Sequence, residues 1–346
     1  MNNLDILIPF GLPPAEMAAD LRRALIAPSY ATMLARSKSV KETDMDAFSR
    51  TLPHEKWVAA QFGLADKDPA NSPPIARTAM QRLGIRGESG FWFLLQPAHL
   101  HVARDHLVLT DLRKLVLSEN ESQTLFQSVE TLFEEDGKEL VFGDAKTWFL
   151  RADDWADFLT STPDAASGHN IDIWMPRGQG EREWRKLLNE VQMTWHMHPL
   201  NTERESRGDP AVNSLWLWGG THERTPDSRS RYQHIVSPLP WMPSSEQTFE
   251  SDASVTGLLD TSTSSALLVM DDLMDAAMAS DWSTWLDNMH RLENEWMSPL
   301  LEALRSGKID EIRFILSHGT RLLEVASGKN SVKKFWIKPS LATLSR

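Results

Sequence analysis

Three apolar stretches and the order in which they occur constrain this chain most. A buried-strand pattern, Ala266 to Met270, is followed by a long amphipathic helix pattern, Asp281 to Leu304, and then by a second buried-strand pattern, Ile312 to Leu316. The helix stripe consists of Trp282, Trp285, Met289, Leu292, Trp296, Leu300 and Leu304, spaced three and four residues apart so that they share one face. Two strands joined through a helix pair in parallel, because the crossover returns the chain to the same end of the sheet. A third apolar run, Leu4 to Phe10, closes on Gly-Leu-Pro-Pro and reads as another buried strand. The expectation is an α/β fold with a central, mainly parallel sheet flanked by helices.

Helical patterns over Ala15 to Ile26 and Tyr30 to Ala35 follow the first strand. A third, over 46–62, places Phe48, Leu52, Trp57, Val58 and Phe62 on one face, and a short fourth, Ile75 to Leu83, ends at Gly84. The pattern changes after Gly90. Phe91 to Leu95 and His106 to Leu109 read as strands. Ser118, with Glu121 three residues on, forms a capping box for a helix reaching Phe133, and Leu140 to Phe142 and Thr147 to Leu150 form a hairpin around Gly143-Asp144. This β-β-α-β-β series predicts a smaller α+β subdomain over 88–180, inserted into a core made of 1–87 and 181–346. The core then includes a helix over Glu181 to His196 and a strand over Asn213 to Trp218. The Ser-, Pro- and Thr-rich stretch 221–254 reads as surface loop.

Composition narrows the function. The 346 residues carry a formal charge of −12, which disfavours general nucleic-acid binding by repelling phosphate backbones. Lys329, Lys333, Lys334 and Lys338 are the local exception: a basic patch for an acidic partner, or the solvated face of a strand pair. The absence of cysteine excludes disulfides, thiolate nucleophiles and zinc–thiolate sites. The N-terminal MNNLDILIPFGLPP has no basic segment, and no stretch approaches the roughly 20 apolar residues that cross a bilayer. The expectation is a cytoplasmic protein with neither membrane nor nucleic-acid partners.

One segment stands apart: LNEVQMTWHMHPLNTERESRGDPAVNSLWLWGGT, from Leu188 to Thr221. It gathers Asn189, His198, Asn201, Arg204, Arg207 and Asn213 around Pro and Gly turns and then enters a strand containing Trp216 and Trp218. Amide and guanidinium donors on loops beside a strand end make an anion site, with Trp218 as a stacking surface. The competing interpretation is a salt-bridged loop, with Arg204 and Arg207 on Glu203 or Glu205, and tryptophans that pack in the core. His196 and His198, or His99 and His101, are spaced for a metal, but no carboxylate accompanies them; His222 and His234 lie further on.

This segment resembles the archaeal-type cofactor-independent phosphoglycerate mutases of the alkaline phosphatase superfamily. Those proteins have an Asn-Glu helix, a His-Pro-x-Asn-x-x-Arg loop and an Asn-containing strand ending in Trp-Gly-x-Gly. Here these are Asn189-Glu190, His198-Pro199-Leu200-Asn201 with Arg204, and Asn213 leading to Trp218-Gly219-Gly220, with Thr221 in place of the last glycine. The opening strand and Pro28 to Ser37 also resemble the superfamily's start. A bacterial group of RpfE-type regulatory proteins, related to those mutases, is similar as well.

The resemblance implies a pair of divalent cations, manganese or zinc, and a serine nucleophile. The chain departs from this at several points. Pro9-Phe10-Gly11 stands where an aspartate is expected after strand one, and Asp5 lies before the strand and points the wrong way along the chain. Ser37, Ser39 and Ser72 have no nucleophile-loop surroundings. Met274 and Met278 fall at a ligand pair, where thioethers do not replace hard donors. Asp271, Asp272 and Asp275 lie nearby, either as substitutes or as acidic residues of a helix start. In Ser317-His318-Gly319-Thr320 the histidine of a metal signature survives without its aspartate. The implied protein has no cofactor and acts by binding a phosphorylated or acidic metabolite or a regulatory protein partner. The alternative is a working metal-dependent mutase or phosphatase rebuilt on Asp271, Asp272, Asp275 and His318.

Overall fold

The structure is a computed structural model that describes residues 1–64, 68, 70–222, 231–237, 254–260 and 263–345. Its contacts divide the chain into two units, Met1–Ala47 with Arg229–Arg346, and Phe48–Ser228. The first unit contains β1 (Asn3–Ile8), α1 (Ala18–Ala24), α2 (Pro28–Ala35) and β2 (Ser39–Asp44). The second contains α3 (Pro53–Gln61), α4 (Ala76–Arg82), β3 (Trp92–Ala98), β4 (Leu100–Ala103), β5 (His106–Leu109), α5 (Glu119–Glu135), β6 (Glu139–Asp144), β7 (Thr147–Arg151), α6 (Pro163–Ala166), α7 (Glu181–His196), α8 (Pro199–Ser206) and β8 (Ser214–Thr221). The chain re-enters the first unit with β9 (His234–Val236), α9 (Val255–Asp260), β10 (Ser265–Val269), α10 (Met274–Met278), α11 (Trp282–Leu292), α12 (Ser298–Ser306), β11 (Glu311–His318) and β12 (Arg321–Gly328).

The first unit is built on a six-stranded sheet ordered β2-β12-β11-β1-β10-β9. β1 pairs in parallel with both β10 and β11, and β10 with β9, so the three apolar runs of the sequence lie side by side. Leu4 and Ile6 to Ile8 are fully buried, as a strand covered on both faces requires. The hairpin β11–β12 and the edge strand β2 extend the sheet antiparallel. β2 reads SVKETD and is almost wholly exposed, so no periodicity in the sequence marks it; backbone pairing with β12 holds it. Asp5 sits inside β1 rather than before it. It is buried, and Arg231, Arg313 and the Tyr232 hydroxyl converge on it.

The expected helix over 281–304 is interrupted. Glu293–Met297 forms a π-turn between α11 and α12, just before Pro299, which cannot donate to an α ladder. The turn aims Glu293, 5% exposed, at the start of α2. Pro28 occupies N1 there, and no side chain caps from Ala27. The orphan amides of Ser29 and Tyr30 instead donate to Glu293 Oε1 at 2.7 Å and Oε2 at 3.0 Å. Glu293→Ala leaves one buried and one half-buried donor unmatched at a helix N-terminus, so we expect a loss of about 3 kcal/mol, read from the urea midpoint. Glu293→Gln, which keeps one acceptor, should lose less.

The second unit contains a four-stranded antiparallel sheet, β6-β7-β3-β8, and the separate hairpin β4–β5. Here the expected boundaries need correction. β8 pairs with β3 rather than with the parallel sheet, which takes residues 181–221 out of the core, and the second unit spans Phe48–Ser228 instead of 88–180. It is not the smaller of the two. Helix α5 begins at the Ser118–Glu121 capping box read from the sequence. Trp148 and Trp195 are fully buried, meet edge-on at 6.0 Å and donate to Ser122 and Ser128 of α5. Such aromatic pairs add about 1 kcal/mol beyond their buried area. The helix expected over 46–62 starts only at Pro53, and Phe48 is exposed. Most of the 221–254 stretch read as loop lies outside the described residues, but His234–Val236 within it is a strand. Among the described residues no helix is long and apolar enough to cross a membrane.

Candidate functional site

In an open parallel sheet, ligands collect outside the carboxyl ends of the strands. In the first unit that edge is formed by Phe10 after β1, Asp271 and Asp272 after β10, and Ser317-His318 at the end of β11. β1 closes in a tight turn in which Gly11 N donates to Ile8 O at 3.0 Å. A Cβ on Gly11 would stand 2.9 Å from that oxygen, so only glycine fits. Phe10 itself has φ +56, a left-handed conformation uncommon for a bulky residue. It is fixed from three sides: its amide donates to Ser317 Oγ at 3.3 Å, its carbonyl accepts from Trp285 Nε1 at 3.0 Å, and its ring meets His318 edge-on at 5.8 Å. Trp282 faces the same imidazole at 6.3 Å.

The strand ends therefore present an aromatic cage around one histidine. Burial lowers the His318 pKa; Glu16 pulls the other way and Arg321 adds to the lowering, so the ring is neutral at physiological pH. Its Nδ1 is buried with no hydrogen-bond partner among the described residues. Asp272 accepts from Arg291 Nη2 at 2.7 Å, while Asp271 and Asp275 are exposed. Met274 is in the core, and Met278 is half-buried on the same short helix. Among the described residues no three His, Asp or Glu side chains are grouped so as to hold a metal ion. The described donors at these strand ends are thus not a set that fits the cation pair implied by the family resemblance, and no reaction step is routed through one.

In the second unit, the helix and strand expected in the Leu188 to Thr221 segment are α7 and β8, while the part expected as a loop forms the helix α8, Pro199–Ser206. His198 caps α8, its Nδ1 accepting from Leu200 N at 3.2 Å. Asn201 is buried and ties α7 to the approach to β8: Nδ2 donates to Trp195 O and Val212 O, and Oδ1 accepts from Val212 N. Asn213 acts like a strand residue, exchanging two side-chain hydrogen bonds with the Leu100 backbone at 2.7 and 2.9 Å. Arg204, 1% exposed, donates to Pro210 O, Val116 O and Glu121 Oε1. Arg207 meets the same Glu121 oxygen at 2.7 Å and Asp209 at 3.2 Å. Burial alone would raise the Glu121 pKa, but the Ser118 amide and hydroxyl and the two arginines bring it down to about 2. The arginines' acidic partners are thus Glu121 and Asp209, not Glu203 or Glu205. Trp216 and Trp218 donate to Ser161 O and Gln96 Oε1 within the core.

Of the seven candidate ligand residues, Asn189, Asn201 and Asn213 line one cleft of about 700 Å³, together with His196, Glu205, Met193 and Met197. His198, Arg204, Arg207 and Trp218 do not line it. The other histidines also part company: His99 bonds Ala211 O at 2.7 Å, His101 is exposed, His222 packs edge-on against Phe91, and His234 is buried in β9. Sequence reasoning missed Phe10 and Trp282 as neighbours of His318. The signal for Phe10 was present, as an aromatic residue next to Gly at a strand end.

No protein-family model matches the chain. The 2,3-bisphosphoglycerate-independent phosphoglycerate mutase of Methanosarcina mazei is 30% identical over 64 residues, 18% of this chain and 16% of that enzyme. A Geobacter sulfurreducens protein described as a probable mutase of the same kind is 32% identical over 71 residues, 20% of this chain and 17% of that protein. The matched stretch is about a sixth of the length of each relative. Among solved structures, a Pyrococcus horikoshii protein superposes with a TM-score of 0.53 at 13% identity, covering 94% of this chain and 87% of that one. The cofactor-independent phosphoglycerate mutase of Thermoplasma acidophilum superposes with a TM-score of 0.48 at 14% identity, over 100% and 95% of the two chains. The chain is thus similar to phosphoglycerate mutases over a limited stretch of sequence, and its central sheet with flanking helices is a fold found in another solved protein.

Proposed function

We propose that this chain is a phosphoglycerate-mutase-like protein that does not assemble the cation pair and acts by binding rather than by phosphoryl transfer. The observation that carries this reading is the cage at the carboxyl ends of the parallel strands, where Phe10, Trp282 and a neutral His318 stand in place of oxygen donors. Hard divalent cations need several carboxylates or imidazoles around one point, and apolar rings supply none. A rebuilt catalytic site would require Asp271, Asp272, Asp275 and His318 to share coordination distance, whereas Asp272 is engaged by Arg291. The ligand class changes with the geometry. Arg204 and Arg207 are engaged by Glu121 and Asp209 and do not line the cleft beside Asn189 and Asn213, which offers amides, an imidazole, methionines and the Glu205 carboxylate rather than cations. It suits a neutral, partly apolar ligand or a partner side chain better than a phosphate. A regulatory role in the cytoplasm, in keeping with the cysteine-free composition, is part of the same reading.

Metal analysis of the purified protein, with a phosphate-ester and phosphoglycerate screen in added manganese, tests it. We expect no stoichiometric manganese or zinc and no turnover above buffer. Two bound cations together with manganese-dependent turnover would overturn the proposal.

A further inference from the structure

The basic stretch near the end of the chain is neither a strand pair nor uniformly solvated. After β12 the chain turns back, and Arg36, at the end of α2, holds both shoulders of the turn: Nη1 donates to Val332 O at 2.7 Å and Nε to Ile337 O at 3.0 Å. Ser331 closes the entry with hydrogen bonds to Gly328 N and O, and Val332 is buried. Between these anchors Phe335 and Trp336 project, 82% and 68% exposed, their rings edge-on at 5.3 Å. Phe335 is the most exposed large apolar side chain among the described residues. Lys333, Lys334 and Lys338 flank the pair with no carboxylate partner among the described residues, whereas Lys329 is paired with Asp310 at 2.6 Å. An exposed aromatic pair flanked in sequence by three lysines is thus carried on a chain whose net charge is −12.

We propose that this turn docks the protein on an anionic bilayer surface. Phe335 and Trp336 enter the boundary between headgroups and acyl chains, and the three lysines lie against the anionic headgroups. The shape favours a bilayer over a protein partner. Two adjacent rings this exposed form a convex tip, and a protein would have to supply both a matching pocket and hundreds of Å² of surrounding contact. A bilayer interface receives an amphipathic tip without a preformed pocket, and tryptophan favours that boundary. Each lysine near an anionic leaflet strengthens partitioning by about fivefold. The acidic remainder of the chain is repelled, which makes the contact specific to this tip.

Cosedimentation of the full chain with vesicles of phosphatidylcholine alone, or of phosphatidylcholine with phosphatidylserine, tests the proposal. Binding is expected only with phosphatidylserine and should fall as salt is raised. The Phe335→Ser/Trp336→Ser variant should lose about tenfold or more in partitioning, and the Lys333→Gln/Lys334→Gln/Lys338→Gln variant about a hundredfold. Both should keep the parent's circular dichroism and melting curve, since the changed side chains are largely outside the core. Three results would each overturn it: no sedimentation with phosphatidylserine vesicles, sedimentation that either variant leaves unchanged, or retention by a single-stranded oligonucleotide or an acidic peptide without vesicle binding.

Discussion

Arg204→Ala should cost the protein on the order of 4 kcal/mol of folding stability, while Arg207→Ala, three residues away, should cost less than about 1 kcal/mol. The two arginines share the Glu121 carboxylate but stand in different surroundings. Arg204 is 1% exposed, and besides Glu121 it satisfies the carbonyls of Pro210 and Val116. Removing it strips both carbonyls of a donor and opens a cavity between α5 and α8. Arg207 is half-exposed, and water replaces what it gives up. Arg204→Met, which refills the volume but not the hydrogen bonds, should fall between the two. Urea midpoints of the three variants measure this. An anion-binding role makes the opposite forecast: Arg204→Ala folds as well as the parent and loses only ligand affinity. Equal, small effects at both positions would therefore restore the anion site.

That contrast shows where sequence reading stopped. The residue types at the candidate site were legible, since Asn201, Arg204 and Asn213 in one segment announce a polar network. What they bond was not. Glu121 is 83 positions from Arg204, and Leu100 is 113 from Asn213, and no local pattern carries such pairings. The parallel sheet was readable because β1, β10 and β11 each carry a short unbroken run of buried apolar residues, Ile6 to Ile8, Ala266 to Val269 and Phe314 to Leu316. The α5 capping box was readable because all its partners lie within one helical turn. β2 was invisible for the reverse reason, being a polar edge strand specified by pairing with β12. The sheet to which β8 belongs was misjudged because its apolar pattern fits a parallel or an antiparallel neighbour equally well. The aromatic cage at His318 joins residues from three places in the chain, and only the closed sheet brings them together.

Glu55→Gln should flatten the dependence of stability on pH, the second large effect. Glu55 is buried near the start of α3, and Oε2 accepts from Leu52 N at 2.7 Å, Thr162 Oγ1 at 2.7 Å and Thr51 Oγ1 at 3.2 Å. These donors favour the carboxylate, but they are outweighed. Burial raises the pKa, the charge of Asp164 raises it further, and the result is about 8 against an ordinary value of 4.5. A folded-state pKa above the unfolded one means that the native chain holds the proton more tightly. Below about pH 4.5 both states are protonated and this contribution to stability is fully present. Between 4.5 and 8 the unfolded chain ionises while native Glu55 does not, so stability falls by about 1.4 kcal/mol per pH unit. Above 8 the loss is complete, on the order of 5 kcal/mol. Glutamine has the shape of the protonated acid and keeps an acceptor for the same donors, but it does not titrate. The quantity to measure is the difference between parent and Glu55→Gln stabilities from pH 5 to 8.5, because titrating groups remote from Glu55 cancel in it and only Glu55 and its neighbour Asp164 remain. The variant should gain on the parent steadily across that window. Parallel curves would mean that Glu55 is ionised in the native state and that the three hydrogen bonds outweigh burial after all.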